Sequence, residues 1–364
     1  MKVAFVIGSL RFSGAERVLI SIANEMTKKG NQIYILLLNG ILTGREETYT
    51  DGLDPRIICI DAGLASNNSF SKIQRMLNIR KIINKVHPDV VVSFGVECNC
   101  ILLPALFGCR FPVVVSERND PKIYPFKKTL RIRRKILYCS AKGYVFQTEE
   151  AKAFFSTSIQ SQAAVIPNPV AAENIPTPYS GERRKDIVSV GRLDDKQKNY
   201  KLLFRAFALL ASDYPEYHLV IYGEGPDRPE LEAEITKLNL TNRIFMPGAE
   251  ADVPHRIRDA ALFVLSSNFE GMPNALIEAM AVGMPVVSTN CPCGGPEFLI
   301  NHGENGLLAP VDDIQELALA MRDILENPVA AEKMAHEARK ILQQLAPEKI
   351  TLMWEQYIEG FVER

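Results

Sequence analysis

Short apolar runs alternate with amphipathic segments along the first half of the chain. Residues 3–7 and 90–94 have the length and composition of buried strands, whereas residues 14–29 and 71–85 repeat their apolar positions with the spacing of a helix. Strands that alternate with helices typically form a parallel sheet whose two faces are covered by the helices. Residues 1–170 are therefore predicted to form a doubly wound α/β domain.

A polar, proline-rich stretch at residues 173–185 interrupts this pattern, and a second alternating series follows it. The apolar runs of this second series include residues 187–190, 218–221, 262–265 and 286–288. Because 364 residues are too many for one ordinary core, we expect two doubly wound domains, 1–170 and 171–347. Such sheets bind ligands at the carboxyl ends of their strands, and two facing sheets would create one central cleft.

The composition, 47% apolar and 23% charged, is that of a globular protein. Its apolar runs are too short to cross a membrane and its first residues run into a strand, so we expect a cytoplasmic protein. The net charge of −1 hides an asymmetry. Residues 1–170 carry 23 Lys plus Arg against 13 Asp plus Glu, net +10, and the remainder carries 19 against 30, net −11. The basic half could hold nucleic acid, an anionic membrane or a phosphorylated substrate.

Residues 268–289, NFEGMPNALIEAMAVGMPVVST, contain two glutamates, Glu270 and Glu278, on either side of a turn. Gly271 and Pro273 predict the start of a helix, and unpaired amides at a helix start attract anions. Glu278 is expected about two turns further along, roughly 10 Å at 1.5 Å per residue. One element could thus offer amides to phosphates and a carboxylate to sugar hydroxyls, which suggests a nucleotide. The alternative is a solvated helix with two ordinary acids.

Two other loops of the second half follow predicted strands and carry cations or glycines. Arg192 and Lys198 lie in the first loop, and Gly223 and Gly225 lie in the second. An arginine fork and a compact lysine charge together suit a diphosphate whose negative charge grows as a bond to it breaks. The sequence contains no D-x-D pair for a bridging divalent metal, so we expect these protein cations to replace a metal.

Taken in order, these residues resemble the retaining glycosyltransferases of family 4, which have the GT-B architecture. The resemblance covers nearly the whole chain. It rests on a glycine turn (SGAER), GRL with the lysine after it, GEGP, FMPG and the E-x7-E element. It implies an α/β, GT-B fold of two Rossmann-like, doubly wound parallel-sheet domains facing a central cleft. Residues 1–170 should bind the acceptor and residues 171–347 the donor, with a last helix near 348–364 packing back on the first domain.

The resemblance also implies a role for each matching residue. Arg192 and Lys198 should clamp the donor diphosphate, Glu278 should hold the ribose hydroxyls, and Glu270 should touch the transferred sugar. The catalytic residues would be Arg192, Lys198 and Glu270. The expected donor-binding set is Gly14, Gly191, Arg192, Lys198, Gly223, Gly248, Ala249, Glu270, Gly271, Met272, Pro273, Asn274 and Glu278. By resemblance the reaction retains the anomeric configuration through front-face attack.

One loop departs from the family pattern. Many members place a histidine after a central strand of the first domain, where this chain has Glu117 and Arg118. Either residue could contact the sugar in place of the histidine, and the arginine could instead bind an acceptor phosphate. A structural ion pair of Arg118 is a third interpretation.

A basic segment follows this loop. Residues 122–142 contain eight basic residues and no acidic one, and helical spacing separates a basic strip from an apolar strip. The candidate membrane contacts are Lys127, Lys128, Arg131, Arg134 and Lys135. The segment could attach the protein to an anionic membrane that carries a lipid-linked acceptor, or it could be an ordinary solvated helix. Nucleic acid is not expected as a partner, because no known binding module is present.

These observations favour an enzyme that transfers a sugar, such as a hexose or N-acetylhexosamine, from a UDP-sugar to a lipid-linked saccharide in bacterial surface polysaccharide assembly. We expect it to need no metal or other cofactor and to lie at the inner face of the cytoplasmic membrane. One alternative is a noncatalytic partner subunit that binds nucleotide sugars. Another is a dinucleotide-dependent oxidoreductase, although the first turn lacks the G-x-G-x-x-G pattern.

Overall fold

The computed structural model describes residues 1–10, 14–39, 52–62, 69–170 and 175–362. These residues form two compact units. The first contains Met1–Pro169 together with Pro347–Arg364, and the second contains Val170–Ala346. The first residue of the predicted glycine turn, Ser13, and part of the predicted linker, residues 173–174, lie outside the described residues.

The first unit is built on a parallel sheet of seven strands in the order β3-β2-β1-β4-β5-β6-β7. Its strands are β1 (Lys2–Ile7), β2 (Gln32–Leu37), β3 (Ile58–Asp61), β4 (Val90–Phe94), β5 (Val113–Ser116), β6 (Gly143–Phe146) and β7 (Ala163–Val165). The central strands β4, β5 and β6 are buried throughout, as expected for a sheet covered on both faces. Their carboxyl ends lie along one edge of the sheet, because all the strands are parallel.

Among the described residues, seven α-helices cover this sheet. They are α1 (Gly14–Lys28), α2 (Ser69–Val86), α3 (Val96–Ala105), α4 (Lys128–Leu137), α5 (Glu149–Ala153), α6 (Thr157–Gln160) and α16 (Pro347–Val362). The helix α3 packs between α2 and α4, whereas α1 packs against α16. Right-handed crossovers on either side of β1 place these two groups on opposite faces of the sheet.

The last helix, α16, belongs to the first unit. Trp354 is completely buried and stacks on Phe94 with 5.5 Å between the ring centroids. The buried Glu355 accepts hydrogen bonds from Lys29 Nζ at 2.7 Å and from Asn31 Nδ2 at 2.9 Å. The final helix is therefore held to the first unit by both apolar and polar contacts.

The second unit has a parallel sheet of six strands in the order β10-β9-β8-β11-β12-β13. Its strands are β8 (Arg184–Val190), β9 (His218–Tyr222), β10 (Ile244–Gly248), β11 (Ala260–Leu265), β12 (Val286–Thr289) and β13 (Leu307–Ala309). The helices are α7 (Asp195–Lys198), α8 (Tyr200–Leu210), α9 (Arg228–Lys237), α10 (Val253–Ile257), α11 (Asn274–Ala281), α12 (Gly295–Leu299), α13 (Ile314–Glu326), α14 (Pro328–Ala338) and α15 (Ile341–Gln344). The predicted fold class, two doubly wound parallel-sheet domains, is confirmed.

Amphipathic helices close the core of the second unit. Leu203 and Phe207 of α8 are fully buried, as are Leu317 and Met321 of α13, and the two helices pack against each other. Burying a side chain of this size contributes roughly 1.5–3 kcal/mol. No helix among the described residues is long and apolar enough to span a membrane.

Candidate functional site

Three loops at the carboxyl edge of the second sheet lie directly against one another. The Gly223 amide donates a hydrogen bond to Gly248 O at 2.8 Å, and the Gly191 amide donates to Tyr222 O at 3.0 Å. A Cβ atom on Gly223 would lie only 1.9 Å from Gly191 O, and one on Gly225 would lie 2.3 Å from a neighbouring carbonyl oxygen. Only glycine fits where two backbone segments come this close. The carboxyl edge of the sheet, where doubly wound folds bind ligands, therefore has backbone without side chains.

Lys198 and Glu270 meet at this edge as a partly buried ion pair. The distance from Lys198 Nζ to Glu270 Oε1 is 2.6 Å, and little of either side chain is exposed. Lys198 is the last residue of the short helix α7, and Glu270 lies in the loop that follows β11. The structure thus joins the residue expected at the diphosphate to the residue expected at the transferred sugar.

Two polar residues that the sequence analysis missed hold the Glu270 carboxylate. Ser267 Oγ donates to Oε1 at 2.8 Å, and Gln197 Nε2 donates to Oε2 at 3.2 Å. Ser267 is held in turn, because its carbonyl oxygen accepts a 2.6 Å hydrogen bond from Thr289 Oγ1. With Lys198, these donors fix the direction of the carboxylate before any ligand arrives.

A second unpredicted support lies in the loop after β12. The Glu270 amide donates to Pro292 O at 2.9 Å, and the Cys293 amide donates back to Glu270 O at 3.0 Å. A Cβ on Gly295 would lie 2.2 Å from Gly271 O. The sequence did carry a signal for this contact, because Cys-Pro-Cys-Gly-Gly begins at Cys291, with two residues between it and the predicted strand 286–288.

The predicted turn and helix after Glu270 are present, but the distance along the helix was wrong. The helix α11 begins at Asn274 rather than at Gly271, because Gly271, Met272 and Pro273 stay extended or turned before it. Glu278 therefore lies about one turn, roughly 6 Å, into the helix instead of two turns. Its side chain is buried, with 6% exposed, so the interpretation as an ordinary solvated acid does not hold.

The remaining donor-side residues differ in exposure. Arg192 is exposed directly after β8, and no described residue forms a hydrogen bond or ion pair with its guanidinium group. Ala249 is exposed directly after Gly248, which has a φ of 109°. In the first unit, Gly14 is the first residue of α1. These positions suit ligand contacts.

Glu117 does not have the expected freedom to contact a sugar. It is buried, and its Oε1 accepts a 2.5 Å hydrogen bond from Tyr138 Oη and lies 3.7 Å from Arg134 Nη1. Burial raises the pKa of Glu117 to about 6, against the opposing effects of Arg134 and the Tyr138 hydroxyl. The prediction of a sugar contact by Glu117 is therefore wrong, because the carboxylate is directed into the unit.

Arg134 is likewise misplaced among the candidate membrane contacts. Its guanidinium group is buried, and it donates to Tyr124 O at 3.0 Å and to Pro121 O at 2.7 Å. Its positive charge also lies over the rings of Phe154 and Phe155. Arg134 fastens α4 to the loop after β5 and cannot face a membrane.

Arg118 has the surroundings of neither a solvated residue nor a structural ion pair. Its guanidinium carbon lies 4.9 Å from the centre of the Phe94 ring, and its Nη2 donates to Asn168 Oδ1 at 2.5 Å. Among the described residues, no carboxylate lies within 4.0 Å of it. Burial lowers the pKa of Arg118 to about 9. The interpretation as a structural ion pair is therefore wrong.

Comparison with known proteins places this geometry in a family. A model described as glycosyl transferases group 1 matches residues 172–341, and one described as glycosyltransferase family 4 matches residues 12–174. The chain belongs to the family 4 type of glycosyltransferases, with a GT-B fold. This assignment confirms the resemblance read from the sequence and leaves no support for an oxidoreductase.

Two relatives of this glycosyltransferase come from Campylobacter jejuni. One is named as a GalNAc-alpha-(1->4)-GalNAc-alpha-(1->3)-diNAcBac-PP-undecaprenol alpha-1,4-N-acetyl-D-galactosaminyltransferase; it is 26% identical over 93% of each chain. The other is an N-acetylgalactosamine-N,N'-diacetylbacillosaminyl-diphospho-undecaprenol 4-alpha-N-acetylgalactosaminyltransferase, 28% identical over 90% of each chain. Among solved structures, Anabaena HepE in complex with UDP and glucose superimposes with a TM-score of 0.85 at 20% identity, covering 99% of this chain and 100% of HepE.

Proposed function

We propose that this glycosyltransferase transfers a sugar from a UDP-sugar to a lipid-linked saccharide, with retention of the anomeric configuration and without a metal ion. The observation that carries the proposal is the Lys198–Glu270 pair, set beside glycine loops whose backbone is bare. The names of the two Campylobacter relatives contain a diphospho-undecaprenol acceptor, and HepE was solved with UDP. Both facts support this choice of donor and acceptor.

The donor diphosphate would lie against Arg192, Lys198 and the amides of residues 272–274. Because Arg192 has no partner among the described residues, its fork of donors is available to phosphate oxygens. Lys198 would share its charge between Glu270 and the leaving phosphate, and the attraction to phosphate grows as the glycosidic bond breaks. The buried Glu278 would accept hydrogen bonds from the ribose hydroxyls, with the base near Gly248 and Ala249.

The acceptor hydroxyl would attack from the face that the diphosphate leaves. In this course, a donor phosphate oxygen helps to accept the proton of the acceptor, so no separate protein base is required. Glu270 would orient the sugar through the carboxylate that Ser267 and Gln197 hold in place. The protein contribution is then mainly positioning and stabilisation of the leaving group.

Glu278→Gln is expected to weaken UDP binding by about 10- to 100-fold, because a charged acceptor of ribose hydrogen bonds is replaced by a neutral amide. Isothermal titration calorimetry with UDP measures the effect directly. Glu270→Gln should leave UDP affinity within about threefold and impair transfer instead, because its carboxylate is assigned to the sugar. A thermal-shift screen of nucleotide sugars would identify the donor, since ligand at 100 times its Kd adds about 2.7 kcal/mol of stability.

Glu316→Gln is a matched control, because Glu316 is an exposed glutamate in the first turn of a helix of the same unit. It should bind UDP like the parent protein. Unchanged UDP affinity in Glu278→Gln would refute the ribose assignment. If no UDP-sugar stabilised the parent protein while another nucleotide sugar did, the UDP part of the proposal would fail.

A membrane role is proposed for the helical face formed by α2, α3 and α4. The helix α2 contains five basic residues and no acidic one, and α4 has the same composition. Ile132 and Ile136 of α4 are 59% and 66% exposed, and Ile73 and Leu77 of α2 are exposed to a similar extent. Each pair lies one helical turn apart, so each helix presents a small apolar strip beside exposed lysines. This combination suits the surface of an anionic bilayer.

The apolar side chains of the basic segment are divided between the interior and the surface of the first unit. Leu130 and Leu137 are partly buried, but Ile132 and Ile136 face outward. The exposed lysines could therefore bind an anionic membrane by charge, and the two isoleucines could insert shallowly into it. Among the predicted contacts, Lys127, Lys128 and Lys135 are exposed, whereas Arg131 is bonded to Pro125 O at 2.7 Å.

Changing Lys127, Lys128 and Lys135 together to Glu should reduce binding to anionic liposomes by at least about 100-fold. Each charge near such a surface contributes about 1 kcal/mol, so three reversals remove more than 3 kcal/mol. Changing Ile132 and Ile136 to Ser should also weaken binding, but this loss should persist at high salt, where the contribution of the lysines is screened. Sedimentation with vesicles of phosphatidylglycerol and phosphatidylcholine, at two salt concentrations, separates the two contributions.

The control replaces three exposed lysines elsewhere, namely Lys237, Lys333 and Lys349, by Glu. It matches the change in net charge, so it should bind vesicles far better than the first variant. If both triple variants lost liposome binding equally, net charge alone would determine binding, and the face formed by α2, α3 and α4 would have no membrane role. UDP affinity should be unchanged in every variant.

A further inference from the structure

Four strands of the first unit deliver polar or aromatic side chains to the same edge of the sheet. Phe94 ends β4, Arg118 follows β5, Gln147 follows β6 and Asn168 follows β7. Two of them converge on one atom, because Asn168 Oδ1 accepts hydrogen bonds from Arg118 Nη2 at 2.5 Å and from Gln147 Nε2 at 2.7 Å. The edge therefore contains a preorganised polar site, in which side chains from different strands are fixed by hydrogen bonds to one another.

This site contains a positive charge, and in the part of the chain that the structure describes no carboxylate lies within 4.0 Å of it. Arg118 uses Nη2 for Asn168 and Nη1 for a long 3.4 Å contact with Ser116 Oγ, while its buried Nε has no acceptor among the described residues. The neighbouring Glu117 cannot neutralise it, because that carboxylate is paired with Arg134 and Tyr138. A partly buried cation without a counter-ion weakens the folded protein, and an anionic ligand would remove that cost.

Gln147 supplies a second, independent sign of a ligand. Its side chain is 97% buried, given its 3% exposure, yet no described residue donates a hydrogen bond to Oε1. The site thus offers guanidinium donors for an anion and an amide oxygen for a hydroxyl group. The Phe94 ring packs against the plane of the Arg118 guanidinium group. The N–H groups at the edge of that plane stay available to a ligand, so a ligand would bind in the plane of the guanidinium group.

We propose that Arg118, supported by Phe94, Gln147 and Asn168, binds a phosphate group of the acceptor, namely its diphosphate. This deepens the proposed function and rests on it for the identity of the acceptor. Guanidinium matches phosphate oxygens in a two-bond geometry that lysine cannot reproduce. The site would then select acceptors that carry a diphosphate over those that carry the saccharide alone.

Inorganic pyrophosphate is the probe, titrated by calorimetry into the full chain in the presence of saturating UDP. The parent protein should bind it, Arg118→Met should bind it at least about 10-fold more weakly, and Arg118→Lys should fall between them. UDP affinity should remain within about threefold in all three proteins. Arg110→Met is the matched control and should behave like the parent, because Arg110 is exposed just before β5, at the opposite end of that strand.

Transfer assays provide the second readout. With a saccharide linked to a short isoprenyl diphosphate as acceptor, kcat/KM of Arg118→Met should fall about 10- to 100-fold below that of the parent. With the same saccharide as an alkyl glycoside, kcat/KM should fall less than about threefold. Equal losses for the two acceptors would overturn the proposal. So would pyrophosphate binding that is the same in the parent and in Arg118→Met.

The source of the phosphate is tested in the same titrations. If Arg118→Met weakened UDP by 10-fold or more, or if UDP blocked pyrophosphate in the parent, the site would serve the donor and the acceptor assignment would be overturned. If the proposed donor were wrong, the parent protein would not bind UDP. In that case pyrophosphate would be titrated without UDP into the Lys198→Ala protein, whose donor diphosphate site is weakened, and the effect of Arg118→Met would be measured in that background.

Discussion

Lys198→Ala is expected to lower turnover by about 100- to 1,000-fold, because it removes a cation that would stabilise the leaving diphosphate only as the bond breaks. UDP release and product formation from the donor and a lipid-linked acceptor measure the change. KM for the donor should move less than kcat, since the interaction is made chiefly in the transition state. Activity of the parent protein should survive EDTA, because protein cations are assigned the role of a metal.

Lys196→Ala controls for the loss of a positive charge in the same short helix, since Lys196 is exposed two residues earlier. It should retain most activity. Thermal unfolding should be compared as well, because Lys198 also holds Glu270. A parent protein that binds UDP but shows no acceptor-dependent turnover would favour the noncatalytic partner subunit. Complete loss with EDTA, restored by Mg²⁺, would reject the metal-free course.

Arg134→Ala should lower the free energy of unfolding by about 3–5 kcal/mol, the usual result of removing one partner of a buried ion pair. Glu117 would keep the Tyr138 hydrogen bond but lose the nearby positive charge. Two carbonyl oxygens, those of Pro121 and Tyr124, would also lose their donor. Urea denaturation at neutral pH measures the difference.

Arg133→Ala is the neighbouring control. Arg133 is exposed on the same helix and donates one hydrogen bond, to Cys100 O at 2.8 Å, so its replacement should cost about 1 kcal/mol. If the two variants were equally stable, Arg134 would not have the structural role given to it. If Arg134→Ala folded normally and lost only liposome binding, the original membrane assignment would be restored.

The fold could be predicted from the sequence because its signals are local. Alternation of apolar runs with helical periodicity determines a parallel sheet, and the carboxyl-edge rule then locates the loops that contain Lys198 and Glu270. The sequence predicts Gly223 and Gly225 in a loop after a strand, but it does not predict the close contact between Gly223 and Gly191. Short sequence segments alone were therefore enough to predict that the donor-binding residues of the second unit lie close together.

Long-range pairings could not be predicted in this way. Helical spacing gave Arg134 a surface position, but its partner Glu117 comes from the end of another element and draws the guanidinium group inward. Ser267 and Gln197 carry no sequence motif, and only the structure brings them to one carboxylate. The start of α11 was placed three residues too early because Pro273 precedes the helix instead of lying inside it.

The close approach of Gly223 to Gly191 has a consequence for altering donor preference. A single added methyl group at Gly223 would collide with backbone 1.9 Å away, so neither directed evolution nor natural drift can vary this position without moving a strand end. Variation must instead enter at positions with free space around the side chain, such as exposed Ala249. Libraries intended to change the donor nucleotide should therefore leave the glycine loops constant and diversify the residues around them.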